Sequence, residues 1–343
     1  MLTTILSGGL IGLIFGFILQ RTRFCLTGGF RDMYIARNNT LFYAFLIAIT
    51  VESIGVLSLI QLGIIGNPYE EFSVLGAIVG SYLFGIGIVL AGGCATGTWY
   101  RAGEGLLGSW VALFFYMTSA AAMKSGFLVP LNQLIAKRWV INDDLAGQLG
   151  IPVWYLLVFL VAITSFIVIR ELRKPRRQIA TLPSKYKGVR HYLFEKTYHK
   201  YFAGFLIGLV ALIAWPASQL TGRVGGLGIT TPSAHLISYI ITGDSKQLGW
   251  GVFLVLGIFL GSFLAAKGSR EFRWRLPDLS TIGKSTLGGI SMGIGASWAG
   301  GCTIGNGLTA TAIFSSKGWI ALPVTILGVW TASYIIFVKP NKN

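Results

Sequence analysis

Two short segments that each end an apolar run contain residues suited to chemistry in this chain. Ala91-Gly92-Gly93-Cys94 and Ala299-Gly300-Gly301-Cys302 have the same order of residues and lie 208 positions apart. A glycine pair allows the backbone to leave a helix and approach a ligand closely, because glycine has no Cβ. The thiol beside it offers a weak hydrogen-bond donor and a soft, polarizable sulfur. The pattern predicts two helix breaks, each with a thiol.

A structural explanation is available for either segment alone. Glycine pairs let membrane helices pack closely, and a free cysteine often behaves as a small buried apolar residue. The structural explanation is weaker for two matching segments, because both copies keep the thiol. We therefore favour a functional role for Cys94 and Cys302.

The third cysteine, Cys25, also lies beside a glycine pair and just beyond an apolar run. Its counterpart in the second half, residues 221–228, contains no cysteine. The three cysteines lack Cys-x-x-Cys spacing, which argues against a structural zinc site or a thioredoxin-type pair. The histidines do not change this, so we expect neither a metal nor another cofactor.

Two polar residues follow the symmetric cysteines at the same spacing. Thr98 and Asn306 each lie four positions after a cysteine. Such side chains suit the N-terminal cap of a following half-helix, whose free N–H groups and positive dipole end attract anions. The spacing predicts an anion site at each break.

Three charged residues near these motifs have alternative explanations. Glu52 falls inside an apolar run, where a carboxylate is costly and suggests proton coupling or the binding of an arginine, although a structural pairing is an equal alternative. Arg101 and Glu104 follow the first break. They could shape an opening beside this break, or they could simply pair with each other.

Composition defines the class of protein. The chain has 343 residues, of which 53% are hydrophobic and 12% charged, and its mean hydropathy is +0.68. Apolar runs of about 20 residues are long enough to cross a hydrocarbon core of about 30 Å as helices. The sequence therefore predicts an all-α, polytopic membrane protein.

We predict about nine transmembrane helices and several re-entrant half-helices. The spans are 4–20, 41–64, 73–91, 106–123, 152–171, 202–220, 248–266, 284–299 and 318–338. The stretches 24–37, 226–242 and 303–315, and the region after Cys94, are too short or too glycine-rich to cross alone. Broken helices are tolerated at membrane depth when they are buried in protein or line a cavity.

Lysine and arginine residues predict the orientation. Ten of them lie in residues 170–202, which also contain Glu171 and Glu195, and basic loops remain in the cytoplasm. Counting spans outward places the N-terminus outside and the C-terminus inside a bacterial inner membrane. The two glycine–cysteine segments then enter from opposite faces, as in an inverted-topology repeat. The predicted units are 1–171, a basic cytoplasmic linker 172–201, and 202–343.

The net charge of +16 needs no nucleic acid to explain it. Topology accounts for basic loops in a membrane protein, and no aromatic and basic residues interleave on a soluble domain. We therefore expect the lipid bilayer, and no nucleic acid, as a partner.

The two glycine–cysteine segments, with Arg23-Phe24-Cys25-Leu26 near the end of the first span, resemble the YeeE/YedE sulphur-transport family over nearly the whole chain. The resemblance implies an hourglass-shaped inner-membrane protein that takes up thiosulfate. It implies that Cys25, Cys94 and Cys302 form a central path, and that sulfur is delivered toward a small cytoplasmic carrier of the TusA type. One branch of the family is associated with selenium metabolism, and the cysteine motif does not separate the branches.

Three classes of function stay open at this point. The favoured one is a transporter without enzymatic activity, in which neutral thiols pass an anion along by weak hydrogen bonds. Weak, multiple sites let an ion leave as well as enter. A selenium or other sulfur compound is an alternative substrate. The other classes are a membrane thiol sulfurtransferase, which would need a reactive thiol with a resolving partner, and a structural or sensor subunit.

Overall fold

Helices make up almost all of the chain in the computed structural model, which describes residues 1–173, 188–196 and 198–339. The first half contains α1 (Leu2–Thr22), α2 (Leu26–Ile35), α3 (Thr40–Gln61), α4 (Val74–Leu90), α5 (Ala95–Gly103), α6 (Leu107–Ser125), α7 (Val129–Ala136), α8 (Leu145–Leu149) and α9 (Val153–Leu172). The rest contains α10 (Val189–Phe194), α11 (Lys200–Gln219), α12 (Thr230–Thr242), α13 (Trp250–Gly268), α14 (Leu279–Trp298) and α15 (Ser316–Ser333). A 3-10 turn spans Ser245–Gln247, and π-helical segments span Gly305–Ala310 and Tyr334–Val338. Two short strands, β1 (Glu71–Ser73) and β2 (Val140–Asn142), pair antiparallel.

The predicted spans coincide with long helices. Within the described residues, nine helices of 17 to 22 residues match the nine spans, namely α1, α3, α4, α6, α9, α11, α13, α14 and α15. Seven regions of the described chain are long and apolar enough to cross a membrane, and the bent pair α6 and α7 makes an eighth. Helix α14 does not meet that criterion because serine, threonine and glycine occupy much of its length. The chain is an all-α, polytopic membrane protein, as predicted.

The short helical elements also lie where the sequence places them. Helices α2, α5 and α12 and the π-helical segment Gly305–Ala310 have 6 to 13 residues each. At about 1.5 Å per residue, none of these can cross a hydrocarbon core of about 30 Å. Each of these elements has residues that are buried against the rest of the protein, which is the environment that broken helices require.

Helix contacts follow a two-fold pattern. Helix α1 packs against α13, and its counterpart α11 packs against α3. In the same way α6 packs against α14, and α15 packs against α4. Each of these contacts joins one half of the chain to the other. The two halves are therefore interlocked and are not separate globular bodies.

The α4–α14 contact lies at the centre of this pattern, and glycine makes it close. Gly80 faces Gly295 and Ala299, whereas Gly87 faces Gly288 and Met292. Because the order of contacts runs in opposite directions along the two helices, they are antiparallel, as an inverted repeat requires. Backbones approach closely where neither helix has a large side chain.

Residues 126–152 form a small structure that the sequence did not predict. Helix α7 bends by 72° from α6, and β2 then returns to pair with β1. The following residue, Asp143, reaches the start of α15. Its Oδ1 accepts hydrogen bonds from Ser315 Oγ at 2.6 Å and from the Lys317 backbone N–H at 2.8 Å.

The predicted linker is described only in part. Most of its basic residues lie outside the described residues, namely Lys174, Arg176, Arg177, Lys185 and Lys187. The described helix α10 contacts the end of α1, where Arg21 Nε donates to the Leu193 carbonyl at 2.9 Å.

Candidate substrate path

The first glycine–cysteine break positions Cys94 at the start of α5. Gly92 has φ +69°, a left-handed conformation that favours glycine. Cys94 is the N-terminal cap of α5, and its sulfur accepts a hydrogen bond from the Gly97 N–H at 3.4 Å. The cap role predicted for Thr98 is therefore wrong. Thr98 lies inside the helix and donates to the Ala95 carbonyl at 2.7 Å.

The second break has the same glycine conformation, but a different side chain holds it in place. Gly300 has φ +68°. Asn306 does not cap a half-helix as predicted, because its side chain points back into the break. Its Nδ2 donates to the Ala299 carbonyl at 2.8 Å and to the Gly301 carbonyl at 3.3 Å. Asn306 thus holds the loop that presents Cys302.

Arg101 connects the first break to the third cysteine. One guanidinium nitrogen, Nη1, donates to the Gly92 carbonyl, and the other, Nη2, lies 3.4 Å from Cys25 Sγ. Cys25 is itself the N-terminal residue flanking α2. Arg101 therefore links the backbone of the first break to Cys25.

The three thiols form a buried series. Cys25, Cys94 and Cys302 are free and are 7%, 3% and 2% exposed. Cys94 lies within electrostatic range of both other thiols, and Arg101 lies beside Cys25 and near Cys94. The three thiols are therefore grouped around Cys94, and Arg101 lies beside Cys25.

A basic cavity adjoins the first break. This Arg101 vestibule has a volume of about 240 Å³. It is lined by Ala91, Gly92, Arg101, Leu106, Gly108, Ser109, Arg275, Leu276, Pro277, Thr281 and Ser285. Two guanidinium groups thus face a cavity that ends on the backbone of a glycine–cysteine segment. Such a site attracts anions.

A second basic cavity adjoins the other break. This Arg223 vestibule has a volume of about 160 Å³. It is lined by Arg223, Gly228, Ile229, Thr230, Thr231, Pro232, Gly300, Gly301, Cys302, Gly305, Asn306 and Lys317. Arg223 is fixed by hydrogen bonds to the carbonyls of Gly225 and Gly226, at 3.1 and 2.9 Å, and it lies over the Trp250 ring.

The two vestibules lie at opposite ends of α14. Thr281 and Ser285, near its start, line the Arg101 vestibule, and Gly300, just past its end, lines the Arg223 vestibule. A helix of 20 residues is about 30 Å long, close to the thickness of a hydrocarbon core. The cavities therefore lie at opposite ends of a helix that is long enough to cross a membrane.

The space beside Cys302 that faces α4 and α15 is narrow. A cavity of about 10 Å³ touches Cys302, Thr303 and Asn306. That volume holds no more than about one water molecule. An anion larger than water can enter this space only if the surrounding segments move.

Glu104 lies in an ion-pair network beside the Arg101 vestibule. Its carboxylate is 3.2 Å from Arg23 Nη1, and Arg23 Nη2 is 2.9 Å from Glu271 Oε2. Arg21 is also 3.7 Å from Glu271. The alternative that Glu104 pairs with Arg101 is not seen among the described ion pairs. The network instead ties together the end of α1, the end of α5 and the turn after α13.

We expect this network to weaken in acid. Burial alone would raise the pKa of the Glu271 carboxyl, but the Gln20 hydrogen bond and the charges of Arg23 and Arg21 bring it below the ordinary value of 4.5. A carboxyl with a lowered pKa stabilises the fold above its unfolded pKa, and this stabilisation is lost as pH falls through the folded value. The unfolding temperature in detergent should fall below about pH 4.5, and less steeply in Glu271→Gln. Identical acid profiles for both proteins would contradict this.

Glu52 holds helices together and is not seen in either vestibule. It is fully buried, and its Oε1 accepts a hydrogen bond from Trp215 Nε1 at 2.9 Å. Thr309 lies beside it. The predicted alternative of an arginine partner is wrong for the described residues, in which the observed donor is a tryptophan. Glu52 thus connects α3, α11 and the π-helical segment.

Substitutions at Glu52 should separate structure from ion coupling. Glu52→Ala leaves the Trp215 N–H without an acceptor, which costs about 1–3 kcal/mol, so the unfolding temperature should fall. Glu52→Gln keeps an acceptor, and we expect its stability and uptake to be close to wild type. Loss of uptake by a stable Glu52→Gln protein would instead assign the carboxylate a role in transport.

Three residues at or beside the vestibules were not predicted from the sequence. Lys317 and Arg275 line the vestibules, and Asp143 is 3.7 Å from Lys317 Nζ. None has a local motif, because Arg275 and Asp143 lie in connections that fold onto distant helices, and Lys317 lies in the first turn of α15. Within the described residues, no group of three or more His, Cys, Asp or Glu side chains could hold a metal ion.

Long helices surrounding broken ones, with basic cavities at both ends of a buried thiol series, define a membrane protein of the transporter class. The chain matches the family model described as sulphur transport over residues 21–331, and it belongs to that family. The predicted family resemblance is confirmed.

Curated relatives agree with this assignment. The chain is 54% identical to the thiosulfate transporter TsuA of Escherichia coli, over 100% of this chain and 97% of the relative. It is 33% identical to the thiosulfate transporter TsuA of Spirochaeta thermophila, over 96% and 98%. A probable transporter, YedE of Escherichia coli, is 43% identical over 29% of this chain and 25% of its own length. Relatives named as transporters support the predicted absence of an enzymatic role.

Proposed function

We propose that this protein imports thiosulfate as an intact anion past Cys302, Cys94 and Cys25. The observation that carries the proposal is the buried series of three thiols between two basic vestibules. Its substrate comes from the names of the two full-length relatives. A selenium or other sulfur anion is the alternative substrate.

Neutral thiols suit this cargo. Thiosulfate has a soft terminal sulfur and a charged oxyanion end, and a thiol offers a soft surface and a weak donor without a negative charge. The vestibule cations attract the dianion, whereas no guanidinium donates a hydrogen bond to Cys302 among the described residues. Weak contacts in series permit release at the far side.

We propose that the two halves, 1–171 and 202–343, act as repeats whose broken segments open in turn, joined by the linker 172–201. The Arg223 vestibule would face outside and the Arg101 vestibule the cytoplasm, with the N-terminus outside and the C-terminus inside. Accessibility labelling of single cysteines introduced near Ile5 and within residues 180–190 tests this. Labelling of both from the same side would contradict it.

We further propose that imported sulfur passes to a small cytoplasmic carrier of the TusA type. The basic residues 170–202 would attract an acidic partner on that side. Binding of the purified carrier to protein in nanodiscs should fall as salt rises. Equal binding by a variant with glutamines at the basic linker positions would contradict this docking site.

Intact-protein mass spectrometry tests the transport mechanism. Passage of an intact anion predicts that the mass of the protein is unchanged after incubation with thiosulfate in the absence of reductant. A stoichiometric sulfur adduct on a cysteine, removed when the carrier is added, would favour the sulfurtransferase alternative. Cys94→Ser should retain at most part of the uptake, because a hydroxyl donates a hydrogen bond but lacks the polarizable sulfur.

A further inference from the structure

An unpartnered hydroxyl lies between the two symmetric thiols. Thr303 directly follows Cys302 and shares with it the narrow cavity of about 10 Å³. Its hydroxyl also lies beside the Cys94 thiol. Thr303, in the second half of the chain, therefore lies beside both thiols between which the anion would move.

Within the described part of the chain the Thr303 hydroxyl has no oxygen or nitrogen partner and only the weakly hydrogen-bonding Cys94 thiol beside it, and the residue is 3% exposed. Burying a hydroxyl without a partner is unfavourable, so such a group in a native protein calls for an explanation. The same is true of Thr27 and Thr96, each two positions after a cysteine, whose buried hydroxyls also lack partners among the described residues. Each of the three cysteines thus has a nearby free hydroxyl.

Other buried threonines show that this is not the rule in this chain. Thr98 donates to Ala95, and Thr311 donates to the Asn306 carbonyl at 2.9 Å. Thr50 and Thr164 are bonded to each other at 3.0 Å. Free hydroxyls therefore occur beside the thiols, while threonines a few positions further along the same broken segments are satisfied.

We propose that the Thr303 hydroxyl donates to the oxyanion end of the passing ion, and that it is a specificity-determining residue of the path. The inference rests on the proposed function and adds a second recognition element to it. A thiol contacts the soft terminal sulfur, whereas a hydroxyl is a stronger hydrogen-bond donor that suits oxygen. Together they select an anion that carries both a terminal sulfur and charged oxygens.

The test compares Thr303→Val with Thr303→Ser in proteoliposomes. Valine keeps the shape but removes the donor, so the half-saturating thiosulfate concentration should rise by about tenfold or more, as expected for a lost hydrogen bond to a charged group. Serine should restore most of the affinity. Thr164→Val is the matched control, because it removes a buried hydroxyl that is bonded to Thr50, away from the path.

Thermal unfolding distinguishes this role from a structural one. Because the Thr303 hydroxyl has only the weak Cys94 thiol beside it, Thr303→Val should unfold close to or above the wild-type temperature. A half-saturating concentration equal to wild type, or a loss of uptake with a lowered unfolding temperature that serine does not correct, would overturn the inference. If the wild-type protein imports no thiosulfate, the proposed function itself fails. If the wild-type protein imports thiosulfate and Thr303→Val imports it equally well, only the role inferred for Thr303 fails.

Discussion

Replacing Cys94 or Cys302 by alanine should reduce thiosulfate uptake by roughly tenfold to hundredfold, the range expected when a hydrogen bond to a charged group is lost. Both side chains are buried at helix breaks, where the backbone has left the helix. The substitution removes a soft sulfur and its donor but little volume. The double variant should show no uptake above protein-free vesicles.

The alanine variants should otherwise behave as the wild-type protein does. Ser53→Ala is a suitable control, because it removes one small buried polar atom that is bonded within its own helix, to the Ile49 carbonyl at 2.8 Å. We expect Ser53→Ala to transport normally and all the variants to elute as single species. Wild-type uptake by a folded Cys94→Ala or Cys302→Ala protein would show that the thiols only pack.

Arg101→Met should produce the second large effect, a loss of uptake of at least about tenfold. The guanidinium donates to the Gly92 carbonyl, approaches Cys25 Sγ and faces the Arg101 vestibule. Methionine preserves much of the side-chain length but removes the charge and the hydrogen bond to the Gly92 carbonyl. Arg101→Lys should be intermediate, because a single ammonium lacks the planar fork that reaches two partners.

Arg273→Met provides the matched control for charge. Arg273 is exposed and lies in the same connection as Arg275, so its removal changes the net charge equally without touching the break. Uptake should be measured at several salt concentrations, since a purely electrostatic effect is screened by salt. Equal losses in Arg101→Met and Arg273→Met would contradict the specific role of Arg101.

The long helices were predictable because a membrane span has a fixed length and an apolar composition. The broken segments were predictable for a related reason. Glycine pairs and short polar stretches cannot continue a spanning helix, and their repetition after 208 residues marks an inverted pair. Even α14 was found, because its similarity to α4 outweighs its modest hydropathy.

The details of the path were less accessible from sequence. Thr98 was assigned as a cap by spacing alone, but the cap is chosen by backbone conformation, and the extended residue is Cys94. Asn306 has a side chain that suits capping, yet it satisfies the carbonyls of the break before it. Such reversals arise because a polar side chain near a loop has several backbone partners within reach.

Tertiary partners were the least predictable. Asp143 meets Lys317 only because residues 126–152 fold back onto the start of α15. Trp215 donates to Glu52 because α11 of one half packs on α3 of the other. No local pattern records these contacts, since they depend on the interlocking of the two halves.

Uptake of thiosulfate labelled separately on its outer and inner sulfur atoms, into proteoliposomes of the purified protein, tests the central claim most directly. If the intact anion passes the three thiols, both labels should enter at the same saturable rate, unlabelled thiosulfate should compete better than sulfate or selenite, and Cys94→Ala should reduce the entry of both labels equally. Entry of the outer label alone, or uptake no greater than in protein-free vesicles, would contradict the account.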